Sequence, residues 1–263
     1  MGVIELMCGL AVLCALAMSG AWLIQRRTGN AGWVDAVWSL TTAAAGACAA
    51  LLPLGPATPR QSLVATLIAA WGLRLAQHIA RRSASGVEDV RYAALRRDWG
   101  AGFQRRMFWF LQIQALAAFL LALGVLLAAR NPAPLGLSDG LGALLLAIAV
   151  LGEALADRQL AAFKARPDSH GKVCDAGLWA WSRHPNYFFE WLVWCACPCF
   201  AVSAAWPWGW AALLAPAMMY WLLVHVSGIP PLEAAMLRSR GPAYRAYQQR
   251  VAAFFPRPPH SNR

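Results

Sequence analysis

The sequence predicts an all-α polytopic membrane protein with seven transmembrane helices. Three observations carry this. The 263 residues are 59% hydrophobic and only 13% charged, with a mean hydropathy of +0.46; a soluble domain carries about 25% charged residues. The apolar residues also fall in runs close to the roughly 20 residues that a helix needs to cross a bilayer. Finally, the basic residues alternate. Loops after the first, third, fifth and seventh runs hold nearly all the Lys and Arg, whereas loops after the second, fourth and sixth hold only Arg60 and Arg130. This pattern predicts an N-terminus outside and a C-terminus in the cytoplasm.

The first run, Val3 to Ile24, ends at Gln25-Arg26-Arg27. It lacks a basic start and a small-residue cleavage site, so it reads as a retained helix rather than a signal peptide. The second covers about Ala31 to Leu54 and the third about Leu63 to Ala80. A polar segment, Arg81 to Arg106, leads to the fourth run, Met107 to Ala129. The fifth is Leu141 to about Phe163, the sixth about Asn186 to Trp206, and the seventh Trp210 to about Val226. A basic tail follows from Leu237 to Arg263. With no internal repeat and no soluble segment, residues 1–263 read as a single domain.

The net charge of +11 is no nucleic-acid signature, because the cations sit at the ends of apolar runs. Six of the seven cysteines lie within apolar runs, where they pack as small hydrophobes. Neither a disulfide framework nor a metal site is expected. The Ala-, Arg- and Trp-rich composition and the lack of a retention signal predict a bacterial inner membrane.

Charges within membrane helices are costly and mark function. Asp35, Arg74, His78, Glu153, Asp157, Glu190 and Glu233 are such groups, and all sit toward the cytoplasmic side of the predicted topology. One polar cavity opening to the cytoplasm would account for them. Lys164, Lys172, Arg238, Arg240 and Arg245 add candidate phosphate partners, although each can equally signal topology or touch anionic lipid. In Gly86-Val87-Glu88-Asp89-Val90-Arg91-Tyr92, the adjacent carboxylates can either bind a ligand or fold the segment onto neighbouring arginines. No Gly-rich dinucleotide fingerprint or P-loop is present, so a nucleotide would have to be held by helix ends and loops.

The densest polar stretch is Gly177-Leu178-Trp179-Ala180-Trp181-Ser182-Arg183-His184-Pro185-Asn186-Tyr187-Phe188-Phe189-Glu190. Pro185 suits the first turn of a helix. Asn186 and Glu190, four residues apart, then share a face. Arg183 and His184 precede that helix, where backbone N–H groups and the dipole favour anions. An interfacial anchor with a polar face explains the same spacing.

This stretch, together with Asp157, Lys164, the Arg81–Tyr92 segment and the Gly228-Ile229-Pro230-Pro231-Leu232-Glu233 … Gly241-Pro242-Ala243-Tyr244 … Tyr247 ending, resembles the steroid 5α-reductase-like family of membrane enzymes. The isoprenylcysteine carboxyl methyltransferases share a related Arg-His-Pro core. The resemblance implies a seven-helix fold that binds NADPH in a pocket open to the cytoplasm and takes a lipid-like enone from the membrane. It implies cofactor contacts at Asp157, Lys164, Lys172, Arg183, His184, Asn186 and Tyr187, with Asn186 on the nicotinamide amide and Glu190 beside it. In the tail it implies Glu233, Arg238, Arg240, Tyr244 and Tyr247. Steroid 5α-reductases polarise the substrate ketone with a glutamate on the second helix and a tyrosine on the third. Here the second helix offers Asp35, and the third offers Trp71 near the tyrosine's place, with Arg74 beyond it.

The reading is therefore an NADPH-dependent oxidoreductase, a monomer, acting on a carbon–carbon double bond conjugated to a ketone in a steroid-like substrate. Asp35 is the expected proton donor, through a pKa raised by burial, and Glu190 is the second catalytic candidate. Glu88, Asp89, Arg91 and Tyr92 are added cofactor contacts, and Trp38, Trp71, Arg74 and Trp194 line the substrate slot. Two alternatives stand beside it. One is an S-adenosylmethionine-dependent methyltransferase, whose donor carries no phosphates to occupy the lysines and arginines; the other is a non-catalytic lipid-binding membrane protein.

Overall fold

The computed structural model describes residues 3–86 and 88–258; Val87 of the acidic segment and residues 259–263 of the basic tail lie outside them. The described residues form helices throughout, and their β pairing is an isolated bridge between Ser203 and Trp206. The helices are α1 (Val3–Thr28), α2 (Gly32–Leu51), α3 (Pro59–Ala84), α4 (Val90–Trp99), α5 (Phe103–Ala129), α6 (Leu137–Lys164), α7 (Pro185–Ala201), α8 (Leu214–Trp221) and α9 (Ile229–Arg250).

Local chemistry sets the boundaries. Thr58 and Gln61 form a reciprocal capping box ahead of α3, with Pro59 in its first turn. Asp89 caps α4. α9 breaks at Gly241, whose φ of 46° leads into Pro242, a backbone state that a glycine adopts without steric cost.

Six stretches are long and apolar enough to cross a membrane: Val3–Thr28, Gly32–Leu51, Pro59–Ala84, Val90–Ala129, Leu137–Lys164 and Pro207–Arg250. The expected sixth run is α7, of 17 residues. At 1.5 Å per residue it is about 26 Å long, a little less than a hydrocarbon core of about 30 Å. Large apolar side chains such as Leu16, Ile113, Leu151 and Leu214 are exposed, as a lipid-facing surface requires.

The chain divides into two compact units, Met1–Ala143 with Cys197–Ala215, and Leu144–Ala196 with Pro216–Arg263. In the first, α2 packs against α1, α3 and α5. Gly72 lets α3 close on α2, since a Cβ there would lie 2.1 Å from that of Ala43. Arg60 and Asp139 form a buried ion pair at 2.7 Å, and Arg60 also donates to the carbonyls of Asn131, Ala133 and Pro134. A buried guanidinium is tolerated because nearly all its donors are used. In the second unit, Tyr244, Tyr247 and Val251 pack with Val173, Met236 and Leu237. Gly152 of α6 leaves room for the Phe189 ring of α7, which a Cβ would approach to 2.3 Å.

Candidate functional site

In the first unit, the segment from Arg81 to Arg106 is mostly helix rather than loop. The Asp89 carboxylate accepts the Arg91 backbone N–H at 3.0 Å, Arg91 Nε at 2.9 Å and Arg82 Nη2 at 3.0 Å. Burial alone would raise its pKa, but the two arginines outweigh burial and hold it at about 2. Glu88 accepts from Arg96 at 2.8 Å. Of the two roles open to the acidic pair, the fold takes the second. Glu88 and Asp89, also expected as cofactor contacts, bind arginines of their own unit.

Arg91 also reaches across to Asp35 of α2. The buried Tyr92 donates its hydroxyl to the other Asp35 oxygen at 2.6 Å. Gln114 Nε2 of α5 lies 3.5 Å from that hydroxyl, and Trp38 donates its indole N–H to the Gln114 carbonyl at 3.1 Å. Asp35 is the residue expected as proton donor. It is a half-buried acceptor facing a guanidinium, and the hydroxyl proton of the cluster belongs to Tyr92. Tyr92 comes from α4, not from the third helix, where Trp71 lies. Gln114 was missed in the sequence. A glutamine within an apolar run was the available signal.

Trp71 and Trp194, expected to line a substrate slot, are both 0% exposed and belong to the packed interior. Arg74 is half-buried one turn beyond Trp71.

In the second unit the signature stretch is a docking hub. Gly177 has φ 62°, and Gln159 of α6 fills the space of its missing Cβ at 2.7 Å. Gln159 Oε1 accepts the Leu178 N–H at 2.9 Å, and Trp179 donates its indole N–H to the Ala156 carbonyl at 3.0 Å. Ser182 donates to the Phe254 carbonyl at 2.9 Å. The Arg183 side chain gives Nε to Glu233 at 2.7 Å and Nη1 to the carbonyls of Val251 and Gln248 at 2.6 and 3.1 Å. His184 Nε2 meets the same Glu233 oxygen at 3.1 Å, and Gln248 donates to the other at 2.7 Å. Arg183, His184 and Glu233, expected as cofactor contacts, clasp the chain end to α7 and α9.

Asn186 opens α7, half-buried, and its side-chain amide makes no hydrogen bond among the described residues. Tyr187 stacks on His184 with centroids 5.7 Å apart. Glu190 is buried and accepts the Trp194 indole N–H at 3.1 Å. Asp157 is buried in α6, whereas Lys164 is exposed at its end. Lys172 pairs with Asp168 at 2.7 Å on the surface, and Arg240 donates Nε to the Lys172 carbonyl at 2.8 Å. Arg238 is exposed, and Tyr244 is buried beside Tyr247.

Burial is the main force on His184 and lowers its pKa from 6.5; the Arg183 charge adds to this, and Glu233 only partly offsets it. The imidazole is therefore neutral at pH 7 and donates Nε2–H to Glu233. A histidine whose folded pKa is depressed binds its proton more readily when unfolded, so its contribution is present above 6.5 and lost as pH falls below it. Thermal stability in detergent should hold steady above about pH 7.5 and decline toward pH 5, and His184→Gln should flatten that decline. An unchanged slope in the variant would remove His184 from the cause.

A helical membrane protein carrying a polar cluster in each of two compact units is the class this architecture defines. The chain belongs to the family described as "Protein of unknown function (DUF1295)", which it matches over residues 21–251. It is 29% identical over 264 residues to the uncharacterized protein C594.04c of Schizosaccharomyces pombe, covering 90% of this chain and 75% of that protein. No solved structure matches it.

Proposed function

We propose that this protein is a steroid 5α-reductase-like membrane enzyme that uses NADPH to reduce a carbon–carbon double bond conjugated to a ketone. Its substrate is an apolar, steroid-like molecule taken from the bilayer. The observation that carries this reading is the Asp35–Tyr92 pair, braced by Arg91 and Gln114. A tyrosine hydroxyl held by a carboxylate within an apolar bundle suits a ketone whose oxygen gains charge during reaction.

The second unit offers groups that fit a dinucleotide. Asn186 at the start of α7 has an uncommitted amide for the nicotinamide carboxamide, with the Tyr187 ring next to it in sequence. Lys164, Lys172, Arg238 and Arg240 supply cations for phosphates. Bound NADPH would supply hydride. Tyr92 turns its O–H from Asp35 to the ketone oxygen and stabilises the enolate that forms. Asp35 and Arg91 set the orientation of that hydroxyl. A proton from solvent water, taken up at the α-carbon, completes the reduction.

Counting α7 as the short seventh span, the reading keeps the N-terminus outside and the C-terminus in the cytoplasm of a bacterial inner membrane, with the protein as a monomer. The test is NADPH binding to detergent-purified protein, with S-adenosylmethionine as competitor. NADPH should bind, and Asn186→Ala and Lys164→Ala should each weaken it about tenfold, the loss of one hydrogen bond or charge contact. Binding of S-adenosylmethionine in place of NADPH would overturn the reductase in favour of a methyltransferase.

A further inference from the structure

The seam between α1 and α5 carries a second feature, independent of the cluster at Asp35. Its contacts run antiparallel. Gln112 donates to Ser19 at 3.2 Å, Trp22 meets Phe108 edge-on at 5.5 Å, and the Trp22 indole N–H donates to the Gln104 carbonyl at 3.1 Å. One more helical turn brings Arg26 beside the start of α5, where Arg105 and Arg106 lie.

Arg26 holds its guanidinium 4.6 Å over the Trp22 ring. Arg26, Arg27, Arg105 and Arg106 are all exposed, and none pairs with a carboxylate among the described residues. Phe108 packs edge-on against Trp109 at 5.4 Å, and Trp109 is 61% exposed. From Trp109 an exposed apolar stripe continues along α5 through Ile113, Leu116 and Leu120. Four unpaired cations thus cap an apolar stripe at the boundary between its polar and lipid-facing parts.

We propose that this corner binds an anionic phospholipid, its headgroup phosphate on Arg26 and Arg105 and an acyl chain along Trp109–Leu120. Charge complementarity selects the phosphate, and the tryptophans match the headgroup level. The stripe selects a lipid over a free anion, which would gain nothing from Ile113 or Leu116.

The test uses purified full-length protein in mixed micelles of phosphatidylglycerol and phosphatidylcholine, with retained lipid counted by native mass spectrometry. Wild type should retain phosphatidylglycerol selectively. Arg26→Gln with Arg105→Gln should weaken that retention roughly 30-fold, the combined effect expected of two arginines at an anionic surface. Arg81→Gln with Arg97→Gln removes the same charge from exposed sites on α3 and α4 and should change it little. Equal losses in both double variants would overturn the proposal, as would equal retention of phosphatidylcholine. Displacement of the lipid by inorganic phosphate would overturn it too, making this a site for free anions.

Discussion

Tyr92→Phe is expected to lower turnover of a 3-oxo-Δ4-steroid about 10²- to 10³-fold while leaving NADPH affinity unchanged. That range is the usual effect of removing one donor to a developing oxyanion, about 2.7–4 kcal/mol. The ring stays, so the buried packing of Tyr92 is preserved. Asp35→Asn should also lose turnover, because Asp35 orients the Tyr92 hydroxyl. The two changes should combine to much less than the sum of their separate effects, as for residues that act as a unit. Steady-state rates with cofactor binding measured in parallel provide the check. Full activity in Tyr92→Phe would exclude the proposed polarising role.

The second large effect is on stability. Arg183→Ala should destabilise the protein by about 1.5–3 kcal/mol, the usual worth of hydrogen bonds to a charged group in a half-buried setting. The change takes the guanidinium from Glu233, which keeps His184 and Gln248, and frees the carbonyls of Gln248 and Val251. Thermal melts without cofactor should show a large fall, with residues 251–257 becoming sensitive to protease. If Arg183 instead served mainly to bind a phosphate, the cofactor-free melt would be unchanged and only NADPH affinity would drop.

These two residues show what a linear reading reaches. Arg183 and His184 stand out in the sequence as charged groups ahead of a helix, which is also how an anion site looks. Their partners are Glu233 and backbone carbonyls 65 and 68 residues along the chain, so their role is invisible before folding. Tyr92 presents the same difficulty in reverse. It lies outside the apolar runs, and a short capped helix carries it to Asp35, 57 residues away. Gln159 and Gln248 gave no signal, because a single glutamine on a helix is ordinary until a neighbour docks on it.

Composition and run length were enough to establish a helical membrane protein and most of its helices. Those properties depend on transfer to lipid and on local backbone hydrogen bonding, which sum over neighbouring residues. The partners of Asp35, Asp89, Arg183 and Glu233 depended on the tertiary structure, because a buried charge is satisfied by whichever group the packing of distant helices brings within about 3 Å.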